Sequence, residues 1–274
     1  MFEKLRGLKE VQEIFSRIKQ GERNIIAEPL SGCFAGMVYS LLAEELKESL
    51  LIITAPENAY GLFSEVKSLL KAAKSPLEPL YYPEDDSLVY SHIKPSKELS
   101  RERAVVYKKL CGPGRNIVIT GMNTLGEMIP APPYVAEGNF KVKKGDNLET
   151  ARLFESLNAN GYERRPKVYD VFEYSVRGSI TDIFTPDYDY PVRIELNGDT
   201  VESVRFFSVE TNESTKEADD VFLGLFNPQV KHPCPKGSIA GFFDAASALF
   251  ISVSYTHLRA HETVLDLVCR LLLE

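Results

Sequence analysis

Arginines recur at strand-like positions in one stretch of this chain, between Gly161 and Phe207. The stretch alternates Val, Ile, Tyr and Phe with polar residues, as half-buried strands do, and turn signals such as Asn197-Gly198 separate its runs. A guanidinium group can hold a carboxylate through two parallel hydrogen bonds, so several arginines on one small sheet would suit an acidic partner. The alternative is that they only keep the sheet solvated. These residues are Arg164, Arg165, Arg177, Arg193 and Arg205.

A second candidate for chemistry lies nearer the amino terminus. A predicted strand at 24–27 is followed by small residues and then by a helical run from Met37 to Leu46. Strand, small-residue turn and helix are the elements of a phosphate-binding loop, whose lysine reaches the phosphates and whose hydroxyl reaches Mg²⁺. The loop positions here are Ser31, Gly32, Cys33 and Phe34, with no lysine nearby. We therefore predict a degenerate loop that does not bind ATP in the usual way, and a chain without cofactor or metal.

The remaining candidates are weaker. Asp85-Asp86 is interpreted as a solvated turn rather than an acid–base pair, and His232-Pro233-Cys234 as a loop rather than half a metal site. A small-molecule α/β enzyme remains an alternative, but the sequence offers no nucleophile–base–acid set for it. The four cysteines follow no CxxC spacing, so we expect reduced, buried thiols.

Composition excludes some classes of function. A net charge of −7 argues against a protein that coats nucleic acid by charge alone. The amino terminus lacks the apolar core of a signal peptide, and no apolar run approaches the ~20 residues that span a membrane. The expectation is a cytoplasmic protein with no membrane contact.

Two styles of chain must position these residues. Up to about residue 130, helices (5–19, 58–72, 96–110) alternate with short apolar strands (50–54, 80–82, 116–120), which predicts a parallel α/β sheet. The run 130–133 is rich in proline and is predicted to be a linker. After it, an amphipathic helix at 148–159, with Leu153, Leu157 and Ala151 inward, precedes short antiparallel strands. This second part, 136–216, is predicted to be a small α+β domain with one helix on a curved antiparallel sheet.

Five blocks of the second part keep a family-like order and spacing: Gly161-Tyr162, residues 174–178, Asp182-Ile183-Phe184 with Pro186, residues 191–196 and residues 199–205. In these blocks the second part resembles the UvrA-binding domain shared by the excision-repair protein UvrB and the bacterial transcription-repair coupling factors. The first part also resembles the first domain of the coupling factors, and UvrB keeps the phosphate-loop lysine that is missing here. The resemblance therefore favours the coupling factors, with a UvrB-type ATP-dependent excision-repair protein as the alternative.

The resemblance implies a role in recruitment. The domain would bind UvrA and so bring nucleotide excision repair to stalled RNA polymerase, while the ATP-driven motor that moves on double-stranded DNA lies outside this chain. The chain itself is expected to be non-catalytic. The resemblance implies UvrA contacts at Arg177, at Arg164 or its neighbour Arg165, and at Arg193. Arg205 is expected to pair with Glu195 or Glu202 across strands.

The resemblance also predicts the order of domains. Residues 1–133 and 218–251 would form one discontinuous, truncated UvrB-like lobe with a degenerate phosphate loop, and 136–216 would be inserted into it. The family often has Gly-Glu before the tyrosine at 174, where this chain has Phe172-Glu173, so the start of that strand is expected to differ.

The last residues, 253–274, resemble no part of the family. They resemble the conceptual translation of a sequencing adapter, which would mean that the natural protein continues differently beyond about residue 252. The alternative is a genuine amphipathic helix, since apolar residues repeat there at helical spacing.

Overall fold

The structure is a computed structural model that describes residues 2–22, 33–46, 48–84, 96–228, 230, 236–243 and 248–252. Its α-helices are α1 (Glu3–Arg6), α2 (Lys9–Lys19), α3 (Cys33–Glu45), α4 (Pro56–Ala72), α5 (Lys97–Cys111), α6 (Pro132–Glu137) and α7 (Thr150–Ala159). Its strands are β1 (Leu50–Thr54), β2 (Pro79–Tyr82), β3 (Ile117–Gly121), β4 (Ile129–Pro130), β5 (Asn139–Lys143), β6 (Glu163–Arg164), β7 (Glu173–Arg177), β8 (Ile180–Phe184), β9 (Val192–Asn197), β10 (Thr200–Phe207), β11 (Ser214–Ala218), β12 (Asp220–Gly224), β13 (Lys236–Gly237) and β14 (Ala248–Ser252).

Contacts divide the chain into two compact units. One comprises Met1–Glu84, Pro113–Ile129 and Gly237–Glu274, and the other comprises Asp85–Gly112 and Pro130–Lys236. The fold is mixed α/β, with a parallel sheet in the first unit and an antiparallel sheet in the second. The predicted mixture of these two sheet types is therefore confirmed.

The first unit is built on a four-stranded sheet in the order β14-β1-β3-β2. Every strand pair in it is parallel, as the alternation of helices and strands predicts. All five residues of β1 are buried, which explains its apolar run Leu-Leu-Ile-Ile, followed by the buried Thr54. Strand β14 lies beside β1, so the apolar segment near residue 250 joins the sheet begun two hundred residues earlier in the chain.

The helix predicted at 5–19 is two helices in the structure. Leu8 has an extended backbone with ψ of 133°, which ends the first helical turn and begins α2. The preceding Gly7 weakens a helix at this point because glycine has high conformational entropy in the unfolded chain. Val11 is buried, and Ile14, Phe15 and Ile18 are partly buried against the same core, so the predicted apolar face is retained.

The second unit contains a six-stranded sheet in the order β11-β10-β9-β8-β7-β6. Its strand pairs are antiparallel except β6 with β7, which is parallel. Helix α7 contributes Leu153 and Leu157, both fully buried, to the core of this unit, and Phe154 stacks on Tyr174. The predicted inward positions of Leu153 and Leu157 are confirmed, but Ala151 is exposed, so its predicted inward position is wrong.

Glycines set the two tight hairpins of this sheet. The β9–β10 turn consists of Gly198 and Asp199, and only Gly198 has positive φ, at +63°. Asn197, predicted as a turn residue, is instead the last residue of β9 and pairs with Thr200. The β7–β8 turn repeats the pattern with Gly178 at φ of +60°. Positive φ at the first turn residue is the mark of the type II′ turn, which favours glycine there.

The backbone at the start of β7 has an unusual conformation, and whether this differs from the family stays a prediction. Phe172 has φ of +62°, in the left-handed region that favours glycine. Its ring is buried and meets Tyr162 edge-on, with centroids 5.5 Å apart. Its backbone N–H donates to the carbonyl of Phe184 at 2.9 Å. The buried ring and this hydrogen bond hold a conformation that a phenylalanine rarely adopts.

Local structure differs from expectation at the edges of the second unit. The proline run predicted as a linker opens helix α6, where Pro132 occupies the first turn and loses no hydrogen bond. Strand β12, which was predicted to belong to the α/β lobe, pairs with β5.

Helix α5 begins at its predicted cap, because the Ser96 hydroxyl accepts from the N–H of Leu99 at 3.1 Å. It also lies in the second unit. The predicted domain limits remain a prediction.

The two cysteines in the described residues are at least partly accessible to solvent. Cys33 is exposed and Cys111 is half-buried, both as free thiols, so the expectation of buried cysteines is wrong for Cys33. Burial raises the pKa of the Cys111 thiol to about 11.

Among the described residues, no helix is both long and apolar enough to cross a membrane.

Candidate functional site

The two faces of the antiparallel sheet have different chemistry. Residues paired across neighbouring strands share a face. One face carries the row Tyr174, Ile183 and Val192, all buried in the apolar core with α7. The opposite face, here called the charged face, carries a row that crosses from β7 to β11 and consists of Ser175, Asp182, Arg193, Arg205 and Glu217.

The charged face is organised around the carboxylate of Asp182. Its side chain is only 1% exposed. Arg193 donates to both of its oxygens, from Nε to Oδ1 at 2.7 Å and from Nη2 to Oδ2 at 2.9 Å. Arg177 donates a third bond, from Nη2 to Oδ2 at 2.7 Å. One carboxylate thus serves two guanidinium groups.

The two arginines bound to Asp182 differ in their access to solvent. The Arg193 side chain is 10% exposed, while that of Arg177 is 45% exposed. Arg193 also donates to the Asn212 side chain at 2.9 Å and lies over the Phe207 ring, 4.2 Å from its centroid. Its hydrogen bonds to Asp182 raise the pKa of Arg193 further above the ordinary value, so it stays charged. Arg193 is a structural cation, and Arg177 is the one presented to solvent.

Strand register also separates the neighbouring candidates Arg164 and Arg165. Arg164 pairs with Tyr174, whose side chain lies on the core face, so Arg164 belongs to that side of the sheet edge and is exposed there. Arg165 lies on the other side, because it forms ion pairs with Glu163 and with Glu173, the latter at 3.7 Å. Arg165 therefore shares its face with Arg177, and Arg164 does not.

The expected partner of Arg205 is confirmed. Its Nη2 donates to Glu195 Oε2 at 2.7 Å across the β9–β10 hairpin, and both side chains are about 30% exposed. Arg205 stands directly opposite Arg193 in the register, an arrangement in which like charges repel. Glu195 and Asp182 each neutralise one of the two arginines, which removes that conflict.

A second charged cluster joins α5 to the loop between β8 and β9. Lys108 lies 3.1 Å from Asp187 Oδ2, and Asp187 is also bound by the N–H of Gly224 at 2.6 Å. Arg101 donates to the carbonyl of Tyr188 at 3.2 Å. Burial raises the pKa of the Asp187 carboxyl above its ordinary value of 3.8, against the opposing effects of Lys108 and Gly224. These contacts anchor the loop that leads from β8 into β9.

The degenerate phosphate loop lies partly beyond the described residues. Ser31 and Gly32 fall outside them, and so does the predicted strand at 24–27. Cys33 and Phe34 are the first residues of α3, earlier than the predicted helix start, and Phe34 packs partly against the core. The interpretation as a degenerate loop stays a prediction. Within the described ranges, no cluster of three or more His, Cys, Asp or Glu side chains could hold a metal ion.

Sequence reasoning missed the partners of the arginines. In the sequence, Asp182 stands out only as part of a matching block, and no local motif there marks Asp182 or Asn212 as the partner of an arginine. A signal for Asp182 existed, because it stands in a strand between two arginine-bearing strands. Asn212 lies in the β10–β11 connection with φ of +60°, and nothing local in the sequence indicates its contact with Arg193.

The antiparallel sheet lies within a segment that matches a known protein family. Residues 140–224, which run from β5 to β12, match the family model described as the UvrB interaction domain. The match includes the charged face and Asp182.

Longer similarity extends to transcription-repair-coupling factors. That of Myxococcus xanthus is 29% identical over 222 residues, 78% of this chain and 18% of that protein. That of Escherichia coli K12 is 23% identical over 225 residues, 82% of this chain and 19% of that protein. That of Bacillus subtilis 168 is 26% identical over 237 residues, 86% and 20%. The chain thus spans about a fifth of the length of these relatives. The predicted resemblance to the coupling factors is confirmed.

Proposed function

We propose that this chain binds UvrA through the charged face of its antiparallel sheet, and that it thereby recruits nucleotide excision repair. The observation that carries the proposal is Arg177, a half-exposed arginine bound to a buried carboxylate within the segment that matches the UvrB interaction domain. A guanidinium held in this way offers its remaining N–H groups to carboxylates of a partner.

The proposed contact surface follows the faces of the sheet. Arg177 and Arg165 lie on the charged face, so both are assigned to the interface, with Arg177 at its centre. Arg193 is left out because it is bound to Asp182 and Asn212 and its side chain is nearly buried. Arg164 belongs to the other face by register and serves as a test of the assignment.

We propose the wider role from the relatives, which are transcription-repair-coupling factors. Transcription-repair coupling would require contacts to RNA polymerase and double-stranded DNA and an ATP-driven motor. We assign these to the larger part of such a protein, since this chain spans about a fifth of the relatives' length. The chain itself is proposed to act as a docking region without catalysis of its own.

The test is calorimetric titration of the whole chain with purified UvrA, beside Arg177→Ala, Arg165→Ala and Arg164→Ala. We expect the parent to bind and Arg177→Ala to lose ~2 kcal/mol or more, as truncation of a central interface arginine does. Arg165→Ala should lose about 1 kcal/mol, because it lies on the same face but divides its donors between two glutamates. Arg164→Ala should bind like the parent.

The matched control is Arg152→Ala. Arg152 is an exposed arginine of α7, the helix that packs on the core face, and its loss should leave the affinity unchanged. A folded parent that shows no heat of binding to UvrA would rule out the proposed function. Binding that is insensitive to Arg177→Ala but lost with Arg164→Ala would move the interface to the opposite side of the sheet.

A further inference from the structure

The carboxylate of Asp182 has more donors than a single ion pair would supply. It is buried, yet it accepts two hydrogen bonds from Arg193 and one from Arg177. Arg193 alone is enough to neutralise the charge of the Asp182 carboxylate, so Arg177 adds a second positive charge to the cluster. Together the three side chains carry one net positive charge, and the only one of them with substantial exposure is Arg177. The excess charge of the cluster is therefore presented at the surface by Arg177.

We propose that Asp182 is a positioning residue for partner binding: it fixes the Arg177 guanidinium so that its free edge meets a carboxylate of the partner. The inference rests on the proposed function and deepens it. Arg193 is the support on the far side, since its two-point grip and its stacking on Phe207 fix the carboxylate in turn. The partner chemistry this selects is a planar acidic group, because a held fork matches a carboxylate through two parallel bonds.

Strand register explains why Asp182 can do this. Arg177 ends β7 and Asp182 lies within β8, and the Gly178 turn folds one strand against the other. Their Cα positions are not directly opposite, since Arg177 pairs with Ile180 and Asp182 with Ser175. The long arginine side chain therefore lies back along the sheet toward Asp182. A short side chain at 177 would not reach the carboxylate.

The test is a double-mutant cycle of UvrA affinity measured with the whole chain, using Asp182→Asn, Arg177→Ala and the two combined. Asp182→Asn keeps the side-chain shape and removes the charge. We expect it to weaken binding about tenfold in the parent and less than about twofold in the Arg177→Ala background, since interacting residues are not additive. An equal loss in both backgrounds would overturn the proposal, because Asp182 would then act independently of Arg177.

The matched control is Glu195→Gln, which breaks the Arg205–Glu195 ion pair on the same face. Glu195→Gln should leave the affinity for UvrA unchanged, because binding depends on the position of the Arg177 guanidinium and not on the total charge of the face. A second variant avoids the buried cluster altogether. Arg177→Lys keeps the charge but has no fork to be held, so it should lose nearly as much affinity as Arg177→Ala. Full affinity of Arg177→Lys would contradict the positioning role.

A measurement without UvrA separates this proposal from the proposed function. Nuclear magnetic resonance of the arginine side chains reports how fast each guanidinium rotates. In the free parent we expect the Arg177 guanidinium to rotate slowly. In Asp182→Asn we expect it to rotate fast enough to average the signals of its two Nη groups. Fast rotation in the parent overturns the positioning of Arg177 whatever UvrA does. Slow rotation in a parent that fails to bind UvrA supports the positioning while the proposed function fails.

Discussion

Arg177 and Arg193 show how one residue type takes two roles within a single sheet. Both bind the same carboxylate, but Arg193 lies in the middle of the sheet, stacked on Phe207 and bonded to Asn212, while Arg177 lies at a hairpin end. Burial decides the difference, because a guanidinium surrounded by protein cannot also serve a partner. Arg193 should therefore contribute to stability, and Arg177 to recognition.

We predict that Arg193→Ala destabilises the second unit by ~3 kcal/mol or more, because it leaves the buried Asp182 carboxylate with the single bond from Arg177. The readout is hydrogen exchange at the amides of β9 and β10, which isolates this unit from the other. Arg205→Ala is the control. Its ion pair with Glu195 is about 30% exposed, and its loss should cost only about 0–1 kcal/mol. Equal effects of the two substitutions would show that burial does not set the difference.

At the residue scale, the sequence indicated which arginines lie on strands but not which of them are available. That depends on register, which shifts every side chain from one face to the other when a strand moves by one residue. The short strand β6 shows the limit. Arg164 and Arg165 are adjacent and so lie on opposite faces, but only the pairing with β7 decides which face each of them takes. The expected Arg205 partner was accessible because a hairpin with a tight turn fixes its own register.

At the scale of elements, the hairpins depend on backbone geometry more than on side-chain contacts. Gly198 and Gly61 make the point, because a Cβ added to either would meet no atom within 4 Å. Space is available at both, so any difference between them must come from the backbone. Gly198 has φ of +63°, whereas Gly61 lies within helix α4.

We predict opposite effects of alanine at these two positions. Gly198→Ala should destabilise the β9–β10 hairpin by about 1–2 kcal/mol, the cost of left-handed backbone for an L-residue. Gly61→Ala should stabilise α4 by about 0.5–1 kcal/mol, because alanine loses less conformational entropy in a helix than glycine. Thermal denaturation checks both, with a lower midpoint for the first and a higher one for the second. A stable Gly198→Ala would mean that the turn changes type at little cost.

Elements with strong local signals were predictable, and those completed by distant partners were not. The apolar run of β1 and the Ser96 cap of α5 lie where expected. The charged strand β11 was missed because its side chains are almost all exposed, so it carries no alternation, and only its pairing with β10 makes it a strand. The break between α1 and α2 was missed because apolar spacing continues across it.

At the scale of the molecule, the chain consists of two units that contain different sheets, and the segments of each are separated in sequence. Strand β14 pairs with β1 in the first sheet, while the discontinuous order of domains that the resemblance implies stays a prediction. Helix α5 was harder to place, since its sequence continues the helix–strand alternation of the first unit. The contacts of Arg101 and Lys108 with the loop after β8 connect it to the second unit, and contacts eighty residues apart leave no local pattern.

The pH dependence of stability should report the cluster of Asp187. Its pKa is raised in the folded protein, so the folded state binds this proton more tightly than the unfolded state. The resulting stability is fully present below pH 3.8 and is lost as pH rises through the folded pKa. Relative to Asp187→Asn, the parent should therefore lose stability as pH rises through that window. Urea denaturation of both proteins across the window measures the difference.

The control for this slope is Ala151→Gly, at an exposed position of α7 in the second unit, which removes no titratable group. Its stability should run parallel to that of the parent at every pH in the window. A parent and an Asp187→Asn protein whose stabilities run parallel with pH would show that Lys108 and the Gly224 N–H outweigh the effect of burial.

The two edge strands of the antiparallel sheet limit how any other chain can attach to it. Strand β11 displays Lys216 and Glu217 to solvent, and β6 is only two residues long. Charged and very short edge strands are the means by which natural proteins stop further strands from adding to a sheet. Growth of this sheet by backbone pairing is thus blocked at both margins, which protects the chain from polymerising through its edges. A partner protein must therefore recognise the sheet through its side chains. The exposed side chains that it contacts can change without altering the fold.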